Sequence, residues 1–198
     1  MKVEELFERV GTNILVVDVQ PAYNDWCGRI VPNICQLLNQ QVGKKVVMFN
    51  DAEISADYLD DVKMYYLDNG LDEEILEDIT FIEKQYSFFR GWMDAGYSEG
   101  SQFIEDSTII KTIRAMVMQR KHDSRDLDLK KILTPDEFEE IENTADSIYM
   151  PDYVDIAMLR NLSPFYMCGG GRKECLREIE LACNAFNIRY KRIDSLVY

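Results

Sequence analysis

Three side chains in this 198-residue chain are suited in type to nucleophilic catalysis: the acid Asp18, the amine Lys84 and the thiol Cys175. The thiol has the most telling surroundings. It closes the run Cys168-Gly169-Gly170-Gly171-Arg172-Lys173-Glu174-Cys175-Leu176, in which glycines separate two apolar stretches. Phe165 to Cys168 has the apolar character of a strand, while Leu176, Ile179, Cys183 and Phe186 recur at helical spacing. The pattern predicts a strand, a tight turn and a helix with a thiol in its first turn. Unpaired N–H groups and the helix dipole stabilise an anion there. Such a cysteine has a lowered pKa and becomes a nucleophile. The competing assignment is a small buried hydrophobe. Asp18 could equally cap a local turn, and Lys84 taken alone is a surface lysine. Arg172 and Lys173 either decorate the turn or steer an anionic substrate and favour the thiolate.

The elements that must position these residues read as α/β. Asn13 to Val19 and Lys45 to Asn50 are β-branched, apolar runs of the kind buried on both faces of a sheet. A helix is expected from Pro32 to Gln41, with Gly43 as its stop. An acidic helix between Leu71 and Asp78 precedes a third strand from Ile79 to Gln85. The fourth and fifth strands are Phe165–Cys168 and Ile188–Ile193. Alternation with long connections implies parallel strands and right-handed crossovers. Residues from about 91 to 150 break the rhythm. There, Thr108 to Gln119 predicts one helix, and the capping box Thr134-Pro135-Asp136-Glu137 opens another through Glu142. The expected organisation is one domain over residues 1–198 with a helical insertion at about 91–150. In open parallel sheets, ligands sit at the carboxyl ends of strands where the strand order switches. Asp18, Lys84 and Cys175 would converge there as base, cation and nucleophile.

Composition narrows the partners. A net charge of −14 repels nucleic acid and anionic membrane, so neither is expected as a partner. Hydrophobic content of 46% is that of a globular core. Five irregularly spaced cysteines do not make a secreted disulfide framework. Met1 to Val10 is charged and unlike a signal peptide, and no apolar run approaches the ~20 residues of a membrane span. A cytoplasmic protein is expected.

These residues resemble the isochorismatase-like cysteine hydrolases, a family that includes nicotinamidases, isochorismatases and N-carbamoyl-amine hydrolases. Asp18-Val19-Gln20-Pro21-Ala22-Tyr23 is similar to the family's Asp-x-Gln-x-x-Phe after strand one. Lys84-Gln85-Tyr86-Ser87-Phe88-Phe89 resembles its Lys-x-x-x-Ser-x-Phe, offset by one position. Gly169 through Leu176 is spaced like its Gly-x-x-Thr-x-x-Cys-Val, with Arg172 where the family usually has a small polar residue. Arg192-Ile193-Asp194 looks like its terminal Arg-Asp. The resemblance covers roughly residues 10–90 and 150–198. It implies a three-layer α/β/α fold with a mostly parallel, Rossmann-like sheet. It also implies hydrolysis of a small amide or related C–N substrate, with Asp18 as base, Lys84 as cation and Cys175 as nucleophile. By the same resemblance, the N–H groups of Gly171 and Cys175 form an oxyanion hole, shaped by a cis peptide between Gly170 and Gly171. Tyr23 and Phe88 would be pocket walls and Arg172 a substrate contact. Family members are commonly homo-oligomers. The competing function is a catalytically silent member of the fold, used for binding or assembly.

Some family members hold zinc with an Asp-x-His motif at the end of strand two. This chain has Asp51-Ala52-Glu53 there, then Asp57, and its one histidine, His122, lies in the insertion. Zinc favours nitrogen and sulfur ligands, so no zinc and no other cofactor is expected. A divalent cation with oxygen ligands at Asp51, Glu53 and Asp57 stands as the alternative to a solvated acidic loop.

Overall fold

A computed structural model describes residues 12–50, 57–84, 104–143 and 153–198. It is an α/β fold of the three-layer α/β/α kind, whose sheet has five strands, all parallel, in the order β3-β2-β1-β4-β5. The strands are β1 (Asn13–Val17), β2 (Lys45–Asn50), β3 (Ile79–Lys84), β4 (Phe165–Gly169) and β5 (Tyr190–Arg192). The chain builds outward from β1 through β2 to β3, then returns to the far side of β1 for β4 and β5. The strand order therefore switches between β1 and β4.

Among the described residues, the helices of more than one turn are α1 (Val31–Gln40), α2 (Tyr58–Asp68), α3 (Asp106–Gln119), α4 (Pro135–Asn143), α5 (Tyr153–Leu162) and α6 (Cys175–Phe186). All five expected strands are found, with ends shifted by one or two residues. The acidic stretch after Leu71 makes only a single helical turn, Glu73–Leu76. The longer helix is α2, which sequence periodicity does not announce. Its buried residues Tyr58, Val62 and Tyr66 are two tyrosines and one valine among acids.

Apolar burial fixes the sheet. Ile14, Val16, Val47 and Phe49 face a cluster that includes Ile34 and Leu38 of α1 and Val62 and Tyr66 of α2. The alternate residues Leu15, Val17, Met48 and Met167 are equally inaccessible to solvent, as expected for parallel strands with both faces covered.

The chain divides into two compact units, Met1–Gln85 with Arg160–Arg177 and Arg189–Tyr198, and Tyr86–Leu159 with Glu178–Ile188. The second unit holds α3 and α4 close to their expected positions. Its capping box forms as the sequence predicts: Glu137 N–H donates to Thr134 Oγ1 at 3.3 Å, and Thr134 N–H to Glu137 Oε2 at 2.9 Å. None of the five cysteines is in a disulfide. Among the described residues, no helix is long and apolar enough to cross a membrane.

Candidate functional site

The candidate site lies in the first unit, at the strand-order switch. β1 runs in register with β4, pairing Val17 with Gly169. The residue after Val17 is Asp18, fully buried and held in the left-handed region at φ 50°. Aspartate is one of the few non-glycine residues that tolerate this backbone. The Asp18 N–H donates to the Met48 carbonyl at 2.8 Å, so the kink begins while the residue is still tied to β2.

Across the seam, Gly169 and Gly170 are both left-handed, at φ 78° and 55°. Space requires glycine here as well. A Cβ on Gly169 would lie 2.5 Å from the Val17 carbonyl and 2.6 Å from Val19 Cγ2. One on Gly170 would lie 2.9 Å from Leu176 Cγ and 3.5 Å from Cys175 Cβ. The glycine turn is thus wedged between the loop carrying Asp18 and the helix carrying Cys175. The Gly171 carbonyl then accepts the N–H of Glu174 at 3.0 Å and of Leu176 at 3.2 Å, which starts α6 at Cys175. One expectation fails at this turn: the Gly170–Gly171 peptide is not cis. The cis bond among the described residues is Ser163–Pro164. Two successive left-handed glycines already supply the reversal that a cis bond would give.

A residue that the sequence does not single out ties the turn together. Tyr198 N–H donates to the Gly170 carbonyl at 3.3 Å, and Arg172 N–H donates to the Tyr198 carbonyl at 3.1 Å. The Tyr198 hydroxyl donates to the Asp18 carbonyl at 3.0 Å. Burial pushes the Tyr198 phenol well above the usual tyrosine range. Cys175, then Asp18, Cys27 and Tyr23, push it further in the same direction when they ionise. The Asp18 loop and the start of the Cys175 helix thus pack against the one glycine turn that Tyr198 ties down. No periodicity or motif marks Tyr198, because its partners are main-chain groups.

The cysteines divide sharply. Cys27, Cys35, Cys168 and Cys183 are buried, whereas Cys175 is half-buried. Burial pushes the thiols of Cys35, Cys168 and Cys183 up to about 12, which makes them inert at neutral pH.

Lys84 ends β3, where its backbone pairs with Asn50 at the end of β2. That is the carboxyl edge expected for it, two strands from β1; its side chain lies outside the described residues, as do Phe88, Asp51 and Glu53. Tyr23 is half-buried beside the site. Its hydroxyl accepts from Asn50 Nδ2 at 3.3 Å, and its ring lies 5.8 Å from that of Trp26. Arg172 is exposed and engaged with Asp194 at 3.1 Å, an acid that Arg192 also contacts at 2.7 Å. Arg192 first, and Arg172 after it, hold the Asp194 carboxyl below its ordinary range. Asp57 is exposed, and its carbonyl accepts the N–H groups of Asp60 and Asp61 where α2 begins. Among the described residues, no group of three or more His, Cys, Asp or Glu side chains is arranged to hold a metal ion.

A second polar cluster sits beside the first, between β1 and β2. Gln20 is fully buried. Its Nε2 donates to the Asn50 carbonyl at 3.0 Å and to the Tyr58 hydroxyl at 2.7 Å, while its Oε1 accepts the Asn50 N–H at 2.9 Å. The Gln20 in the motif after β1 is thus a brace between strand ends.

No protein-family model, no curated protein and no solved structure matches this chain. What the site can do must come from its own geometry. A half-buried thiol at a helix start, a buried carboxylate and a tight glycine turn together are components for attack on a carbonyl carbon.

Proposed function

We propose that this chain is a cysteine-dependent hydrolase of a small amide or related C–N substrate. The observation carrying the proposal is the glycine turn at the β1–β4 switch, against which both the Asp18 loop and the start of the Cys175 helix pack. There an acid and a half-exposed thiol flank one glycine turn. In the proposed cycle, Asp18 takes the Cys175 proton and the thiolate attacks the substrate carbonyl. The N–H groups of Gly171 and Cys175 stabilise the oxyanion, and Lys84 balances the negative charge. Collapse expels the amine, which leaves with the proton held by Asp18. Water then hydrolyses the thioester and restores the thiol. No cofactor enters any step. The partner is a small molecule; composition supports a cytoplasmic setting, and the family resemblance supports a homo-oligomer.

A second function, that of a catalytically silent binding module, is favoured by one observation: Arg172 is engaged with Asp194 at the rim of the turn.

Alkylation with iodoacetamide at pH 6–7, followed by peptide mapping, separates the two. A hydrolase should label Cys175 at least tenfold faster than an ordinary thiol of pKa ~8.5. Asp18→Asn should slow labelling and turnover by about a hundredfold or more, and Cys175→Ala should abolish turnover of an amide panel. Labelling of Cys175 at an ordinary thiol's rate, indifferent to Asp18→Asn, would leave the binding module as the function.

A further inference from the structure

We propose that Tyr198 is a positioning residue, which locks the Asp18 loop and the glycine turn into one unit and so keeps carboxylate and thiol in register. The part that concerns reactivity rests on the hydrolase proposal above; the mechanical part does not.

The geometry is a three-point clamp. Two of the points are main-chain bonds to the turn, at Gly170 and Arg172. The third is the hydroxyl, which reaches across the seam to the Asp18 carbonyl. That carbonyl belongs to the one residue of the loop whose backbone is left-handed. An aspartate relieved of this bond can relax toward the more stable right-handed or extended regions. Relaxation would re-aim the buried carboxylate. The clamp also touches the turn at Gly170, where a Cβ would meet both Cys175 and Leu176. Movement of either loop would therefore be felt at the other through the same phenol. The ionisable groups that bear on that phenol are Cys175 at the start of α6, Asp18 after β1, and Tyr23 and Cys27 in the segment that follows.

Tyr198→Phe removes the hydroxyl and leaves the ring and both main-chain bonds in place. Hydrogen exchange read by mass spectrometry should rise together in peptides covering 18–23 and 169–175, with β2 unchanged. Alkylation of Cys175 at pH 7 should slow roughly threefold to tenfold, the factor expected for one lost hydrogen bond. The ultraviolet thiolate titration of Cys175 should move to higher pH, with little change in melting temperature. Tyr198→Leu, which also removes ring packing, should enlarge both effects at the same peptides. Unchanged exchange in the two loops of Tyr198→Phe would overturn the clamp. Raised exchange with no change in the reactivity of an activated Cys175 would overturn the positioning role. Raised exchange around a native Cys175 that reacts like any ordinary thiol would uphold the clamp and sink the hydrolase instead.

Discussion

Two seams meet at the carboxyl end of β1, and they are held by different kinds of bond. Toward β2, the Gln20 side chain makes three hydrogen bonds that brace Asn50 and Tyr58. Toward β4, the Tyr198 main chain and hydroxyl bond to three other main-chain groups. The first seam uses a side-chain amide as structural material, with its backbone in ordinary conformations. The second is anchored on main-chain groups and concentrates left-handed residues, at positions 18, 169 and 170. Reactive side-chain types fall on the second seam. A turn tied through its main chain can carry a thiol and a carboxylate whose chemistry is not needed to hold the fold together.

The sharpest way to break this contrast is Gly169→Ala. A methyl there meets the Val17 carbonyl at 2.5 Å and requires a positive φ. Denaturant unfolding should report a loss on the order of 3 kcal/mol. Reactivity of Cys175 should fall with it, since the turn must open to admit the methyl. Next in size is Gln20→Leu, which removes the three bonds from Gln20 to the Asn50 main chain and the Tyr58 hydroxyl. About 2 kcal/mol should be lost, but Cys175 alkylation in the folded protein should keep its rate. If that rate collapses, the two seams are not separable.

An effect of similar size, but dependent on pH, concerns the buried thiol that precedes the glycine turn. The buried Cys168 is pushed up to about 12 by desolvation, whereas an unfolded cysteine ionises near ~8.5. Between those values the unfolded chain holds fewer protons than the folded one, so stability falls as pH rises. The slope is about 1.4 kcal/mol per pH unit for each such thiol. Comparing unfolding at pH 8 and pH 10, Cys168→Ala should show a shallower loss than the native chain.

Much of the fold was legible because it rests on apolar patterning. Valines and isoleucines in β1 and β2 could only be buried strands, and Thr134 with Glu137 could only start a helix. α2 escaped notice because its buried side is two tyrosines and a valine on an otherwise acidic segment, a weak periodic signal. The glycine turn and the Cys175 helix were legible from spacing. The peptide geometry at Gly170–Gly171 was not, since left-handed glycines and a cis bond are alternative solutions to one reversal. Tyr198 was hidden for a different reason. Two of its bonds involve only main-chain atoms, which every residue has, and its hydroxyl meets a residue 180 positions away.

The left-handed backbone at position 18 restricts the residues that can stand there before any reactivity is considered. Glycine suits the torsion and lacks the acid; glutamate has the acid on a longer arm and a poorer fit to the torsion; asparagine has the shape without the charge. Two independent filters, one conformational and one protonic, leave aspartate alone among the coded amino acids. A saturation library at that codon, sorted first for soluble expression and then for thiol labelling, would contract in two distinguishable steps.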